Sequence, residues 1–130
     1  MITVRVDPSI ILTANQRLHW SKKSRRTADL RMLAVVAWRK AGAPQHSRLH
    51  LLVRIGYPNR RARDAHNLMP TVKALVDGMV HPNPRTRGLL ADDSDEFLTG
   101  PDLRHDPTLD LPGRFTFVFE EATRELVQGR

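Results

Sequence analysis

The chain has 130 residues, a formal charge of +7 and no cysteine, and its calculated pI is about 11.0. This length suits one domain with its own core and is too short for two domains of ordinary size. The absence of cysteine excludes disulfides, thiolate catalysis and cysteine-type zinc sites. The positive charge favours a polyanionic partner, with nucleic acid as the first candidate.

No apolar run is long enough to cross a bilayer, and no charged-then-apolar leader follows Met1. We therefore expect a cytoplasmic protein without a membrane partner. Arginine greatly outnumbers lysine along the whole chain, as biased codon usage alone can produce. Charge is therefore informative only where it is clustered.

The first predicted element is a strand over residues 2–6, in which Ile2, Val4 and Val6 alternate with polar residues until Asp7 and Pro8 end it. Residues 9–24 have no regular pattern, and together with the two arginines that follow they form the densest basic segment. We interpret this segment as an arm or loop that tracks a DNA backbone. Its candidate DNA-binding residues are Asn15, Arg17, His19, Lys22, Lys23, Arg25 and Arg26. Trp20 either stacks on a base or lies in the core, and the pattern favours neither.

A helix is predicted from Thr27, its expected N-cap, to Gly42 and Pro44. Its apolar positions follow helical spacing: Leu30, Leu33, Ala34, Ala37 and Ala41. A buried strand over residues 49–55 follows, and the residues after Tyr57 break it.

Three arginines, Arg60, Arg61 and Arg63, then come directly before Asp64 and His66. This order suits a site where phosphate oxygens are held beside a metal-binding carboxylate.

Asn67 is the predicted N-cap of a second helix, with Pro70 in its first turn and Gly78 near its end. Its apolar stripe comprises Leu68, Val72, Leu75, Val76 and Met79. Lys73 falls on the opposite face of this helix, away from the core.

Three elements are predicted after this helix. Residues 88–90 read as a short strand that leads into an acidic stretch, and residues 101–113 read as a long surface loop. Phe115, Phe117 and Phe119 belong to a last strand, and the tail after Glu120 is expected to form one short helix.

The acidic stretch comprises Asp92, Asp93, Asp95 and Glu96, four acids in five positions. Ionised carboxylates at this spacing repel one another unless a cation or nearby arginines neutralise them. For Asp95 and Glu96 a solvated loop is the better interpretation. For Asp92 and Asp93 we expect a divalent metal site shared with Asp64 at one edge of the sheet. The spacing does not match an EF-hand, and no glycine-rich phosphate loop indicates a small-molecule cofactor.

The order of these motifs resembles that of the RusA-like Holliday junction resolvases, small homodimeric endonucleases frequent in phages. The similarity spans most of the chain and rests on four matched pieces. These are Asn15-x-Arg17-x-His19, the arginines before Asp64 and Asn67, Lys73 with Asp77-Gly78, and Gly88 followed by Asp92-Asp93. The resemblance implies a magnesium-dependent nuclease that cuts four-way DNA junctions as a homodimer.

The resemblance also assigns roles to individual residues. Asp64 and Asp93 correspond to essential acids, and Asp92 assists them. His66 stands where the family has a second Asp, which shifts the expected metal preference from Mg²⁺ towards Mn²⁺. Pro70 stands where the family has a Lys, so Lys73 takes the phosphate-stabilising role or merely pairs with Asp77.

The sequence thus predicts one α+β domain, a small mixed or antiparallel sheet packed by two helices. We expect catalysis by Asp64, Asp93 and Lys73, and metal binding by Asp64, Asp92, Asp93 and His66. The DNA contacts are expected from the basic segment and from Arg60, Arg61 and Arg63. Two rival hypotheses are a DNA-binding module of the same fold that does not cut, and a small metal-independent ribonuclease that uses His66 or His19.

Overall fold

The computed structural model describes residues 1–60 and 64–122. Two helices pack against one mixed sheet of four strands, so the predicted α+β class is confirmed. The strands are β1 (Ile2–Val6), β2 (Leu49–Gly56), β3 (Leu98–His105) and β4 (Phe115–Glu121), and the helices are α1 (Trp20–Lys40) and α2 (Met69–Val80). Short 3-10 turns cover Pro8–Ile10, Ala65–Leu68 and Pro107–Leu109.

The sheet has the strand order β1-β4-β2-β3. β4 runs antiparallel to both β1 and β2, whereas β2 and β3 are parallel. A parallel pair needs a crossover that returns the chain along the sheet, and α2 lies in this crossover. The segment after β2 and the segment before β3 therefore lie at opposite ends of the strand pair.

The core lies between the sheet and the two helices. The alternating apolar residues of the predicted strands are buried as expected, including Val53 and Phe117. The predicted stripe of α2 is also buried: Leu68, Val72, Leu75, Val76 and Met79. Trp38 joins this core from α1, and its indole Nε1 donates a hydrogen bond of 2.9 Å to the Pro44 carbonyl.

Helix α1 begins at Trp20 rather than at the predicted N-cap Thr27. His19 is the N-cap, because its Nδ1 accepts a hydrogen bond of 3.3 Å from the Ser21 N–H. Thr27 lies inside the helix and donates to the Lys23 carbonyl. The first two turns are basic and polar, so no apolar stripe indicated them. The predicted basic arm is therefore helical from Trp20 onward.

The start of α2 also differs from the prediction. Asp64, not Asn67, makes the capping bond, and it does so for the 3-10 turn that precedes the helix. Pro70 does lie in the first turn of α2, as expected. The helix ends at Val80 with His81 as its C-cap, so Gly78 lies near its end as predicted. Gly78 faces α1, where a Cβ would lie 2.5 Å from the Arg31 carbonyl oxygen.

Two predictions in the second half of the chain are wrong. Residues 88–90 form no strand, and β3 occupies part of the predicted surface loop over residues 101–113. The sequence did not indicate this strand, because it contains Pro101 and proline cannot donate a hydrogen bond to a β-ladder. Proline is tolerated here because β3 is an edge strand. The register with β2 shifts at this place, between His50 and Leu52.

The helix expected in the tail falls largely on residues 123–130, which lie outside the described residues; Glu120 and Glu121 end β4. None of the helices in the described ranges combines the length and the apolar character needed to span a bilayer.

Candidate functional site

Three metal-ligating side chains meet at the C-terminal end of α2. Asp77, His81 and Asp93 each place one ligand atom within 4.8 Å of the other two. Asp77 is half-buried, whereas His81 and Asp93 are exposed. We call these three residues the acid–histidine group. Among the described residues, it is the one set of three or more such side chains that meets this distance limit.

Helical geometry explains two members of the group. Asp77 and His81 are four residues apart, so they lie on one face of α2 at its last turn. The His81 N–H donates a hydrogen bond of 2.8 Å to the Asp77 carbonyl, which continues the helical pattern to this residue. The helix thus holds a carboxylate and an imidazole side by side.

The return of the chain across the end of α2 brings in the third member. The Leu89 N–H donates to the Met79 carbonyl at 2.9 Å, and Leu89 and Leu90 are buried. Gly88 passes so close that a Cβ there would collide with the backbone of Met79. These contacts anchor the chain three residues before Asp93 and so bring the acidic stretch to the His81 side of the helix.

The charges around the group are mixed. An Arg31 Nη1 lies 3.8 Å from an Asp77 oxygen, and the His81 Nε2 lies 3.7 Å from an Asp92 oxygen. Both pairs are long and partly exposed, so each contributes little to stability. Arg31 therefore offsets the Asp77 charge only in part, and Asp93 adds a second carboxylate.

The donor set fits a divalent cation that keeps part of its water shell. Two carboxylates are ordinary ligands for Mg²⁺ or Mn²⁺, and the exposed position leaves room for waters and phosphate oxygens. The imidazole of His81 favours Mn²⁺ over Mg²⁺, because nitrogen is a poor ligand for Mg²⁺. The expected shift towards Mn²⁺ was argued from His66, which is not one of the three residues of the acid–histidine group.

The predicted metal residues separate into two places. Asp93 belongs to the acid–histidine group and Asp92 contacts it through His81. Asp64 and His66 precede the N-terminal end of α2, and this helix of 12 residues is about 18 Å long. The expected meeting of Asp64 with Asp93 at one sheet edge does not occur within the chain, because β2 and β3 are parallel.

Asp64 has a local structural role at its own end of α2. Its Oδ1 accepts a hydrogen bond of 3.1 Å from the His66 N–H and so caps the 3-10 turn. Lys73 is exposed in the middle of the helix, between the two places. Arg60 is exposed before the turn, while Arg61 and Arg63 lie outside the described residues.

The segment before α1 is fixed to the start of α2. The buried Thr71 hydroxyl accepts from the Leu12 N–H at 2.8 Å and donates to the Leu12 carbonyl at 2.6 Å. The Ala14 N–H donates to the Asn67 carbonyl at 3.0 Å. These bonds bring the segment that leads to the predicted DNA contacts Asn15 and Arg17 alongside the turn that Asp64 caps.

The predicted DNA-binding residues differ in what they contact. Asn15, Arg17, His19, Lys22, Lys23 and Arg25 are exposed. Arg26 instead donates from Nη1 to the Ile11 carbonyl at 2.9 Å, so this side chain supports the fold. His19 uses its Nδ1 in the helix cap.

A cleft of about 750 Å³ borders the acid–histidine group, and sequence reasoning did not identify it. Its lining includes Arg31 from α1, His81, and Arg85 and Arg87 from the loop after α2. The pair Asp77 and His81 at helical spacing was the available signal for this end of α2. The helix end was predicted, but His81, just beyond it, was not considered together with Asp77.

Comparison with known proteins assigns the chain to no family. A scan against protein-family models and a search of curated proteins both find no match. The resemblance to the RusA-like resolvases therefore stays a prediction from motif order, and the geometry of the site carries the functional argument.

Proposed function

We propose that this protein is a divalent-metal-dependent endonuclease that acts on branched DNA, with the four-way junction as its substrate. The observation that carries the proposal is the acid–histidine group beside a cleft lined by arginines. Cation ligands next to phosphate-binding side chains are what phosphodiester hydrolysis requires. The charge of +7 supplies the general attraction for DNA.

In this proposal Asp77, His81 and Asp93 hold the metal. A bound Mg²⁺ or Mn²⁺ would polarise a phosphoryl oxygen and favour ionisation of a water at neutral pH. Arg31 and Arg85 are placed to orient the phosphate through paired N–H donors. Lys73, exposed on the same helix, remains the proposed residue for a second phosphate contact.

We further propose that the protein acts as a homodimer. A four-way junction has two-fold symmetry, and a symmetric pair of active sites matches two symmetric cuts. The exposed Arg60, before the turn that Asp64 caps, would then contact DNA away from the acid–histidine group. Branched DNA is the proposed partner, and no small-molecule cofactor is needed.

The direct test is cleavage of a labelled synthetic four-way junction, compared with linear duplex, in Mg²⁺, Mn²⁺ or EDTA. We expect symmetric nicks in either metal, faster in Mn²⁺, and none in EDTA. Asp93→Asn should abolish cleavage, whereas Asp95→Asn is the matched control in the same acidic stretch and should cut normally. Equal cleavage by wild type and Asp93→Asn would refute the proposal.

Metal binding can be measured without DNA. Mn²⁺ at about 100 times its dissociation constant should stabilise the fold by about 2.7 kcal/mol. A thermal unfolding series should show this stabilisation for wild type and Asp95→Asn, and its loss for Asp77→Asn and Asp93→Asn. If all four proteins respond alike, the acid–histidine group is not the metal site.

A second candidate function is a junction-binding module that does not cut. The observation that favours it is the separation of Asp64 and His66 from Asp93, since it leaves the acid–histidine group with two carboxylates. It predicts tight junction binding that survives both EDTA and Asp93→Asn, with no nicks in either metal. The cleavage experiment above therefore distinguishes the two functions.

A further inference from the structure

Two surface grooves meet at Arg31. One runs along the first turns of α1, and its lining consists of Trp20, Lys23, Ser24, Thr27, Ala28 and Arg31. The other is the cleft beside the acid–histidine group, which also includes Arg31. Because Arg31 lines both and its Nη1 lies 3.8 Å from Asp77, the two grooves adjoin at Arg31 and together lead from Trp20 towards the acid–histidine group. We call this path the Trp20 groove.

Trp20 is unusual in its exposure. Its side chain is 75% exposed, whereas Trp38 on the same helix is 2% exposed and part of the core. Tryptophan is highly buried on average, so an indole in water at the end of a groove is available for a partner. The ring of His19 lies 5.6 Å from that of Trp20 with an angle of 35° between the ring planes, and Trp20 also lines the groove.

The charge of the groove indicates the partner. Lys23, Arg31, Arg85 and Arg87 are among the lining residues of the two parts. Neither part has Asp or Glu in its lining within the described ranges, while Asp77 lies 3.8 Å from Arg31 and Asp92 lies 3.7 Å from His81. A groove with spaced cations and an aromatic platform matches the way proteins bind single-stranded nucleic acid.

The length of the groove also matches a short single strand of nucleic acid. Trp20 and Arg31 are eleven positions apart on one helix, which corresponds to about 16 Å. A strand with bases spaced by about 3.4 Å covers this distance with roughly five nucleotides. The groove can therefore hold a short unpaired segment with one end at Trp20 and the other at the acid–histidine group.

We propose that the Trp20 groove binds an unpaired DNA strand, with one base stacked on Trp20 and the backbone passing Arg31 towards the acid–histidine group. Unpaired bases expose the π-faces that a paired and stacked base hides. The groove thus recognises a strand that has separated at a branch point. The direction towards the cutting site rests on the proposed function, but the binding itself does not.

The test is binding of a dye-labelled ten-nucleotide oligo(dT) in EDTA, with affinity measured by fluorescence anisotropy of the label and with tryptophan quenching as a second signal. Trp38 is buried and serves as a constant background, so quenching reports on Trp20. Trp20→Ala should weaken binding about ten-fold or more and abolish the quenching, while Trp20→Tyr should keep much of the affinity. Met32→Ala is the matched control, because Met32 is 64% exposed on α1 but lines neither part of the groove.

Salt dependence tests the backbone part of the path. Arg31→Ala should reduce the slope of log affinity against log salt by about 0.7, the value for one phosphate contact on a single strand. Two results would overturn the proposal: unchanged oligo(dT) affinity in Trp20→Ala, or tighter binding of a duplex of the same length than of the single strand.

The outcomes also separate this proposal from the nuclease proposal. Trp20-dependent binding of oligo(dT) with no junction cleavage in any metal would refute the nuclease and keep the strand site. Metal-dependent cleavage combined with unchanged oligo(dT) binding by Trp20→Ala would refute the strand site and keep the nuclease.

Discussion

At the scale of single residues, Thr71 connects the fold to the predicted DNA contacts. Its hydroxyl makes two buried hydrogen bonds to the backbone of Leu12, which is 59 positions away in the sequence. This pair fixes the segment that leads to Asn15 and Arg17. Sequence patterns gave no indication of it, because a threonine inside a helix is unremarkable until its distant partner is known.

We expect Thr71→Val to destabilise the protein by about 2 kcal/mol or more, since valine fills the space but leaves the Leu12 N–H and carbonyl without partners. Urea unfolding measures this difference. Thr99→Val, an exposed position on β3, is the control and should change stability little. Equal stability of Thr71→Val and wild type would show that the two bonds contribute nothing net.

The sequence predicted one residue of the acid–histidine group and missed the other two as metal ligands. Asp93 was predicted as a metal ligand and lies in the acid–histidine group. His81 was missed because it lies just beyond the last residue of α2 and was not considered together with Asp77. The backbone of Arg31 explains why a glycine stands at position 78, and only the packing of two helices brings that backbone to it.

At the scale of elements, the contact between α1 and α2 depends on Gly78. A Cβ there would lie 2.5 Å from the carbonyl oxygen and 2.9 Å from the Cα of Arg31. Alanine is the better helix former by about 1 kcal/mol, so propensity alone favours the substitution. The close approach of the Arg31 backbone opposes the substitution, and we expect this steric clash to outweigh the gain in helix propensity.

Gly78→Ala should therefore destabilise the protein by about 1 to 3 kcal/mol, as overpacking does in other cores. Chemical denaturation of the single variant tests this. The double variant Gly78→Ala, Arg31→Ala is the informative control, because the clash is with the backbone and removal of the Arg31 side chain should not relieve it. Recovery of stability in the double variant would contradict a backbone clash.

The helices also show where periodicity succeeds. The stripe of α2 was predicted because its apolar residues recur at helical spacing and face the core. The first turns of α1 were not, because their basic residues face water and leave no such period. The polar turns that sequence patterns overlook are also the ones that carry Trp20 and Lys23.

At the scale of the whole molecule, the strand order predicts the distribution of local stability. β4 and β2 lie inside the sheet, with neighbours on both sides, whereas β1 and β3 are its edges. Amides in the inner strands should exchange with solvent most slowly, because their opening requires the largest disruption.

Hydrogen exchange followed by NMR would check this order. We expect the slowest amides at the positions where β2 and β4 bond to each other, among them Arg54 and Val118, which share the alternation of the bonded pair His50 and Ala122. The amides of β1 and β3 that face away from the sheet should exchange at least ten-fold faster, since they have no partner strand there. Slower exchange in α1 than in β2 and β4 would show that the sheet is not the most stable unit.

Sequence patterns predicted the class of the fold but not its pairing. Alternation identified β1, β2 and β4, although β2 and β4 bury residues of both faces, among them Leu52 and Val118. Which strands pair, and in which direction, depends on contacts between distant residues. The parallel pairing of β2 with β3 is such a contact, and it is what separates Asp64 from Asp93.

The same crossover has an evolutionary consequence. Residues 81–97 join α2 to β3 outside the sheet, and two buried leucines, Leu89 and Leu90, attach this connection to the core. The part before Gly88 carries Arg85 and Arg87 but no strand or helix. Insertions and deletions there leave the sheet register intact. Selection can therefore change the length and charge of this loop at little risk to folding.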